Sequence, residues 1–235
     1  MGQGVSIAIE TSSRRGGVAV GFGPEMLEAV EFAADRRHAV QLIGRLDELL
    51  RRHGHGPGNV REVYVSVGPG SYTGLRVGIT VGRTLAQATG QIRCVVVPTV
   101  QAVAENAEDL DCRHLGVVMD AKDGDVYAAL FSRRGGRIVP AGEPSIMPAR
   151  QFAEQAPKPI TLIGEGLWYQ DLSGKGITRG DESLYLPTAA GVWAVGRRGA
   201  EAGDFHDYHT LQPIYLRKPE AVRLWEKRRR ATEKT

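Results

Sequence analysis

Cysteine is almost missing from this chain. Cys94 and Cys112 are the two among 235 residues, and two cysteines make no disulfide framework. Cys94 sits in the apolar run 92–97 and reads as a core residue. No run of about 18 apolar residues occurs, which leaves no candidate for a membrane-spanning helix. The start, Met1-Gly-Gln-Gly-Val-Ser, lacks the basic-then-apolar pattern of a secretory leader, so a cytoplasmic protein with no membrane partner is the expectation. A broad basic surface is lacking too. The net charge is +3, but the last 20 residues hold eight Lys or Arg against three Glu, which leaves the first 215 at −2. Any electrostatic pull on RNA is therefore concentrated in residues 217–234.

Several catalytic signatures are also absent. Ser71 lies in Pro-Gly-Ser-Tyr-Thr, not in the Gly-x-Ser-x-Gly of a nucleophile elbow. No His-Glu-x-x-His occurs, and Gly68-Pro-Gly is not followed by the Gly-Lys-Ser/Thr of a phosphate-binding loop. The six histidines, His38, His53, His55, His114, His206 and His209, are scattered. His206 and His209 share an i,i+3 spacing, but in a loop-like segment. No metal site is expected, and protease chemistry has no support.

Glycine is present in excess, at 30 residues, while aromatics are 6%. The stretch Gly68-Pro-Gly-Ser-Tyr-Thr-Gly-Leu-Arg-Val-Gly-Ile-Thr-Val-Gly-Arg-Thr-Leu-Ala-Gln-Ala-Thr-Gly90 dominates the sequence. A small residue recurs every fourth position at Gly70, Gly74, Gly78, Gly82, Ala86 and Gly90, which places them on one face of a helix. Each interior glycine costs a helix about 0.8–1 kcal/mol against alanine. Such a stripe is tolerated where another backbone comes close. Two readings stand at this point: packing on the chain's own sheet, or contact with another subunit. Leu75, Ile79 and Leu85 can pack inward. Tyr72, Arg76, Val77, Thr80, Val81 and Arg83 remain available to a partner or to solvent.

Around this stretch the chain reads as α/β. Residues 5–10 and 17–21 form a hairpin about a Thr-Ser-Ser-Arg-Arg-Gly turn, and 26–32 is a third strand. Residues 39–52 have a helical apolar period, 63–67 is a buried strand, and Ser71 or Thr73 caps the glycine helix. A strand at 92–97 and a short helix to about 107 follow. After a polar link at 106–113 the pattern restarts, with strands at 115–119 and 126–132 about the turn Asp120-Ala-Lys-Asp-Gly-Asp. A turn and a further segment at 137–141, a helical turn at 148–155, a strand at 160–163, a helix at 188–202 and an extended 213–216 complete the reading. A last helix is expected from Pro219. Two halves that each open with strand, polar turn and strand suggest a duplicated fold.

This is the pattern of the two-lobed actin/hexokinase/Hsp70-like ATPase fold, with duplicated ribonuclease-H-like lobes. Within it the chain resembles the bacterial TsaB (YeaZ) family. The resemblance rests on Glu10-Thr-Ser, Ser66-Val-Gly-Pro-Gly-Ser-Tyr-Thr-Gly-Leu-Arg-Val-Gly, Asp120-Ala-Lys-Asp-Gly-Asp-Val-Tyr, Pro213-Ile-Tyr-Leu-Arg and Arg37-His38. It implies an N-terminal lobe at 1–108 carrying the glycine helix, a C-terminal lobe at 109–217 and a basic helix or tail at 218–235. It further implies a non-catalytic scaffold for threonylcarbamoyl transfer to adenosine 37 of tRNAs that read codons beginning with A. The implied partners are the catalytic subunit TsaD, the ATPase TsaE, a second copy of the chain in isolation, and tRNA through the complex.

By the same resemblance, catalytic relatives hold a metal with two histidines four apart on the helix after the glycine-rich one. Gln101 and Glu105 stand there, and an amide with one carboxylate makes no comparable site. The phosphate turns are altered as well. Glu10, Thr11, Ser12, Asp120 and Gly124 mark a vestigial nucleotide site, with Asp123 and Asp125 adding charge that repels a triphosphate. ATP or ADP binding is expected to be weak or absent. The alternative is an ATP-dependent small-molecule kinase or carbamoyltransferase of this fold. With the metal positions and phosphate turn so altered, the resemblance favours partner contact through Gly70, Tyr72, Thr73, Gly74, Arg76, Val77, Gly78, Thr80, Val81 and Arg83. Gly78→Leu is then expected to spare the fold and disrupt dimerisation.

Overall fold

The computed structural model describes residues 4–33 and 38–215, with Trp225 and Arg229. Arg37 and most of the expected tail unit 218–235 lie outside the described residues. The elements run β1 (Val5–Glu10), β2 (Arg15–Phe22), β3 (Glu25–Ala33), α1 (His38–Arg52), β4 (Val60–Gly68), α2 (Tyr72–Thr89), β5 (Arg93–Pro98) and α3 (Thr99–Glu105). They continue with β6 (His114–Asp120), β7 (Asp125–Arg134), β8 (Arg137–Pro140), β9 (Ser145–Pro148), α4 (Ala149–Gln155), β10 (Ile160–Ile163), β11 (Ile177–Arg179) and α5 (Ala189–Glu201).

The first sheet has the order β3-β2-β1-β4-β5 and the second β11-β10-β6-β7-β8, with β9 paired to β7. In each, the first strand pairs antiparallel with its hairpin partner and parallel with the strand on its other side. The two sheets thus repeat one ribonuclease-H-like order, as the duplicated pattern led us to expect. β1 is central in its sheet and buried at every residue. Its side chains alternate between two cores, as strand periodicity requires. Val5, Ile7 and Ile9 join Leu42, Leu46, Leu49 and Ile79 beneath α1 and α2. Ala8 faces the opposite core with Val192 and Trp193 of α5, and Ser6 accepts a 2.9 Å hydrogen bond from the Trp193 indole.

The helices do not respect the expected boundary between 108 and 109. α3 follows the first sheet, yet Val100, Val103 and Ala104 are buried in the core of the second lobe. α5 follows the second sheet, yet Ala189, Val192 and Val195 cover the first. Leu211 also lies in the first lobe's core. The strands of the span 109–217 form the second sheet, and the chain crosses back to the first at α5. The cause is the apolar face each helix carries, which is covered by the other lobe's sheet. Thr188 caps α5 by accepting from Gly191 N–H at 3.0 Å, and Glu31 of β3 accepts from Ala189 N–H at 3.0 Å. Arg198 of α5 and Glu105 of α3 form a two-armed ion pair, with one arm at 2.9 Å.

Candidate functional site: the glycine helix and the turns beneath it

α2 begins where β4 ends. Ser71 accepts from Gly74 N–H at 3.2 Å, and Gly90 closes the helix at φ 64°, its N–H donating to Ala86. A left-handed Gly after the last turn is the commonest helix stop. The turn between β1 and β2 passes directly under the first turns of α2. Ser71 N–H donates to the Ser12 carbonyl at 2.6 Å, and the Thr11 hydroxyl donates to the Gly74 carbonyl at 2.8 Å.

The glycine stripe faces that turn. A Cβ on Gly70 would overlap the Ser12 carbonyl oxygen, on Gly74 the Thr11 carbonyl oxygen, and on Gly78 the Thr11 hydroxyl. On Gly82 it would lie 2.8 Å from a Val65 methyl. Gly74, Gly78 and Gly82 are buried. Of the ten residues expected at a partner contact, Gly70, Gly74 and Gly78 give room to the chain's own hairpin and sheet, Gly70 while itself exposed. Of the other seven, Tyr72, Thr73, Arg76, Thr80 and Arg83 lie away from the stripe, while Val77 and Val81 pack against the first lobe's core. Tyr72, Thr73, Arg76, Thr80 and Arg83 are exposed, and Val77 and Val81 half-buried.

That outer face has an ordered aromatic end. The Tyr72 and Tyr215 rings lie 5.0 Å apart. The Arg76 guanidinium sits 4.0 Å over the Tyr72 ring and donates to the Tyr215 hydroxyl at 3.1 Å. Tyr215 is held there because Ile214 N–H donates to the Val67 carbonyl at 2.7 Å. Tyr72, Ile214, Tyr215 and, on α1, Ile43 are each at least 40% exposed. Ile214 and Tyr215 were missed as site residues. The available signal was a proline-led extended segment ending in an aliphatic and an aromatic residue.

The phosphate turns are used differently from what the fold family implies. Glu10 is fully buried. One carboxylate oxygen accepts from Ser12 N–H at 2.5 Å and from the Ser12 hydroxyl at 2.6 Å, while the other has no partner. Burial pushes its pKa up to about 7, against the opposing Ser12 bonds. In the second turn, the Asp120 carboxylate accepts from the Lys122 backbone at 3.0 Å and from its ammonium. The Gly124 carbonyl accepts from Ala149 N–H at 3.1 Å. Arg14 of the first turn lies 5.3 Å over Trp168 and bonds the Tyr169 hydroxyl, and Lys122 of the second turn lies 5.2 Å over the same Tyr169 ring. A triphosphate would need the hydroxyls of Thr11 and Ser12, which are spent on Gly74 and Glu10. The residues present do not fit a phosphate clasp.

On α3, Gln101 is half-buried and Glu105 is committed to Arg198. Among the described residues, no three His, Cys, Asp or Glu side chains are grouped to hold a metal ion, and no helix is long and apolar enough to cross a membrane.

The family model of TsaD, tRNA N6-adenosine threonylcarbamoyltransferase, matches residues 29–173. Over 227 residues the chain is 25% identical to the tRNA threonylcarbamoyladenosine biosynthesis protein TsaB of Bacillus subtilis, covering 93% of this chain and 96% of that protein. The chain belongs to the TsaD family, in its TsaB (YeaZ) branch. The tRNA N6-adenosine threonylcarbamoyltransferase of Anaeromyxobacter dehalogenans is 30% identical over 218 residues, but the chain spans only 52% of its length. YeaZ from Pseudomonas aeruginosa has the same fold, with a TM-score of 0.78 at 23% identity, over 91% of this chain and 100% of that one. The two-lobed fold is thus the one shared with YeaZ. What the structure adds is the local use of the first turn as the seat of α2.

Proposed function

We propose that this chain acts in tRNA threonylcarbamoyladenosine biosynthesis as a non-catalytic subunit that docks on TsaD through the outer face of α2. The observation that carries this reading is the division of α2 into two sides. Its glycine side is locked to the chain's own hairpin. Its other side leaves Tyr72, Arg76, Thr80, Arg83 and Tyr215 to solvent, and Tyr and Arg are the residue types enriched among interface hot spots.

The position of Gln101 and Glu105 supports the non-catalytic assignment, since the single carboxylate there is neutralised by Arg198. The chain's role is then conformational. A partner activates an enzyme only by binding its active state better than its inactive one. The hydrogen bonds from Ser71 and Thr11 hold α2 rigid, so little ordering is left to oppose docking. TsaE joins this pair, tRNA is reached through the complex, and without TsaD the same face pairs two copies of the chain. All of this takes place in the cytoplasm.

The test is reconstitution with purified TsaD, TsaE, the adenylate-forming synthase TsaC and tRNA. Omitting this chain is expected to abolish modification of adenosine 37, and adding it back to restore it. Undiminished modification without the chain would sink the proposal.

A further inference from the structure

We infer that the charge of the α2 face selects its partner, disfavouring a second copy of this chain and favouring a protein surface that carries carboxylates. This rests on the reading that the face is a docking surface. α2 contains two cations, Arg76 and Arg83, and no acidic residue. They are seven residues apart, which places them on one side of a helix. Among the described residues neither has a carboxylate partner.

The acids of α1 are already ion-paired, while Asp207 keeps its charge. On α1, Asp47 pairs with Arg51 at 3.1 Å, and Glu48 with Arg45 at 3.0 Å and Arg52 at 2.7 Å. Beside α2, Asp207 caps the turn Tyr208–Thr210 by accepting from His209 N–H at 2.8 Å. Arg76 is itself turned toward the Tyr72 ring and the Tyr215 hydroxyl, neither of which neutralises it.

A two-fold contact sets the same patch against itself. Two copies meeting through α2 would bring four arginines together with no unpaired carboxylate from α2 or α1 to separate them. A partner of different sequence, with carboxylates facing Arg76 and Arg83, reverses the sign of this term. Like charges juxtaposed across an interface suppress wrong partners, while complementary ones raise the association rate and fix register. Salt separates the two cases, because screening weakens attraction and repulsion alike.

The experiment measures self-association of the full chain by analytical ultracentrifugation, and binding to TsaD by calorimetry, from about 0.05 M to about 0.5 M NaCl. Self-association is expected to hold or tighten as salt rises, and binding to TsaD to weaken. The double variant Arg76→Glu/Arg83→Glu is expected to bind TsaD about tenfold more weakly, and to pair with the unaltered chain about tenfold more tightly than either pairs with itself. Melting curves of the variant establish that it folds. If the mixed pair is no tighter than the self-pairs, or both associations weaken alike with salt, the inference is overturned.

Tyr72→Ala with Thr80→Ala, at exposed positions beside Arg76 and without change of charge, separates this inference from the docking reading once melting curves show that the variant folds. If it leaves both associations intact, α2 is not the docking surface. If it abolishes both while the arginine variant changes neither, the surface stands and the charge selection falls.

Discussion

Gly74→Ala is expected to destabilise the protein by about 3 kcal/mol, near the top of the usual cost of overpacking a tight site. By propensity alone the substitution would stabilise a helix interior by about 0.8–1 kcal/mol. The steric term wins because the obstacle is backbone. A Cβ at this position overlaps the carbonyl oxygen of Thr11, which belongs to a turn pinned by Ser71 N–H and by the Thr11 hydroxyl. Neither α2 nor the turn can give way without breaking those bonds. Gly44→Ala is the internal control. It lies exposed in α1, with nothing within 4 Å of its added Cβ, and is expected to stabilise by about 1 kcal/mol. Urea unfolding of the three proteins checks both signs together. A neutral Gly74→Ala would mean that the seat of α2 is soft. By the same geometry Gly78→Leu is expected to impair folding, because its side chain would enter the space of the Thr11 hydroxyl.

Much of this architecture was legible in the residues, and what was not has physical causes. The ends of α2 were readable because Ser71 and Gly90 are capping types at both ends of one apolar period. The hairpin β1–β2 was readable because its turn is polar and its strands are not. The face on which the glycines lie was readable, but not what they meet. A four-residue period encodes that some backbone comes close and carries no information about whose. Thr11 and Ser12 looked like phosphate ligands because small hydroxyls in a turn serve either purpose, and only the fold shows what each meets, the Gly74 carbonyl for Thr11 and the Glu10 carboxylate for Ser12. The crossing of α5 was hidden for a similar reason. Its apolar stripe specifies a covered face, while the sheet that covers it is set by contacts such as Trp193 with Ser6, 187 residues apart. β11 is only three residues long, too short for a period-2 pattern to register. Tyr215 contributes through a bond to Arg76 made 139 residues away, and the local Pro213-Ile-Tyr pattern does not say what its ring meets. Gln101 and Glu105 were the reverse case, since a motif position is local, and the structure adds the pairing of Glu105 with Arg198.

Glu10→Gln is expected to stabilise the protein by about 3 kcal/mol at pH 8 and to change little below pH 4.5. The sign follows from linkage. The Glu10 carboxyl is fully buried, with one oxygen unpartnered, and burial raises its pKa from 4.5 to about 7. Below the unfolded value the group is protonated in both states and costs nothing. As pH rises from about 4.5 to about 7 the unfolded chain ionises first, so the folded state loses relative stability, and above 7 the full penalty is in place. At 1.36 kcal/mol per unit the shift corresponds to roughly 3 kcal/mol, and complete burial leaves solvent no part in screening it. Glutamine keeps an oxygen to accept from the Ser12 N–H and hydroxyl and places an uncharged amide where the bare oxygen was. The pH dependence of urea unfolding between about pH 4 and 8 should therefore lose most of its decline in the variant. If the variant is no more stable than the parent at pH 8, the Glu10 carboxylate is stabilised in a way its two Ser12 bonds do not account for. The consequence reaches the docking face, because Glu10 immediately precedes the Thr11 and Ser12 on which α2 is seated. Neutralising it relieves a strained charge directly behind the helix, and the gain in stability is expected to come without loss of TsaD binding, since the residues of the outer face are untouched.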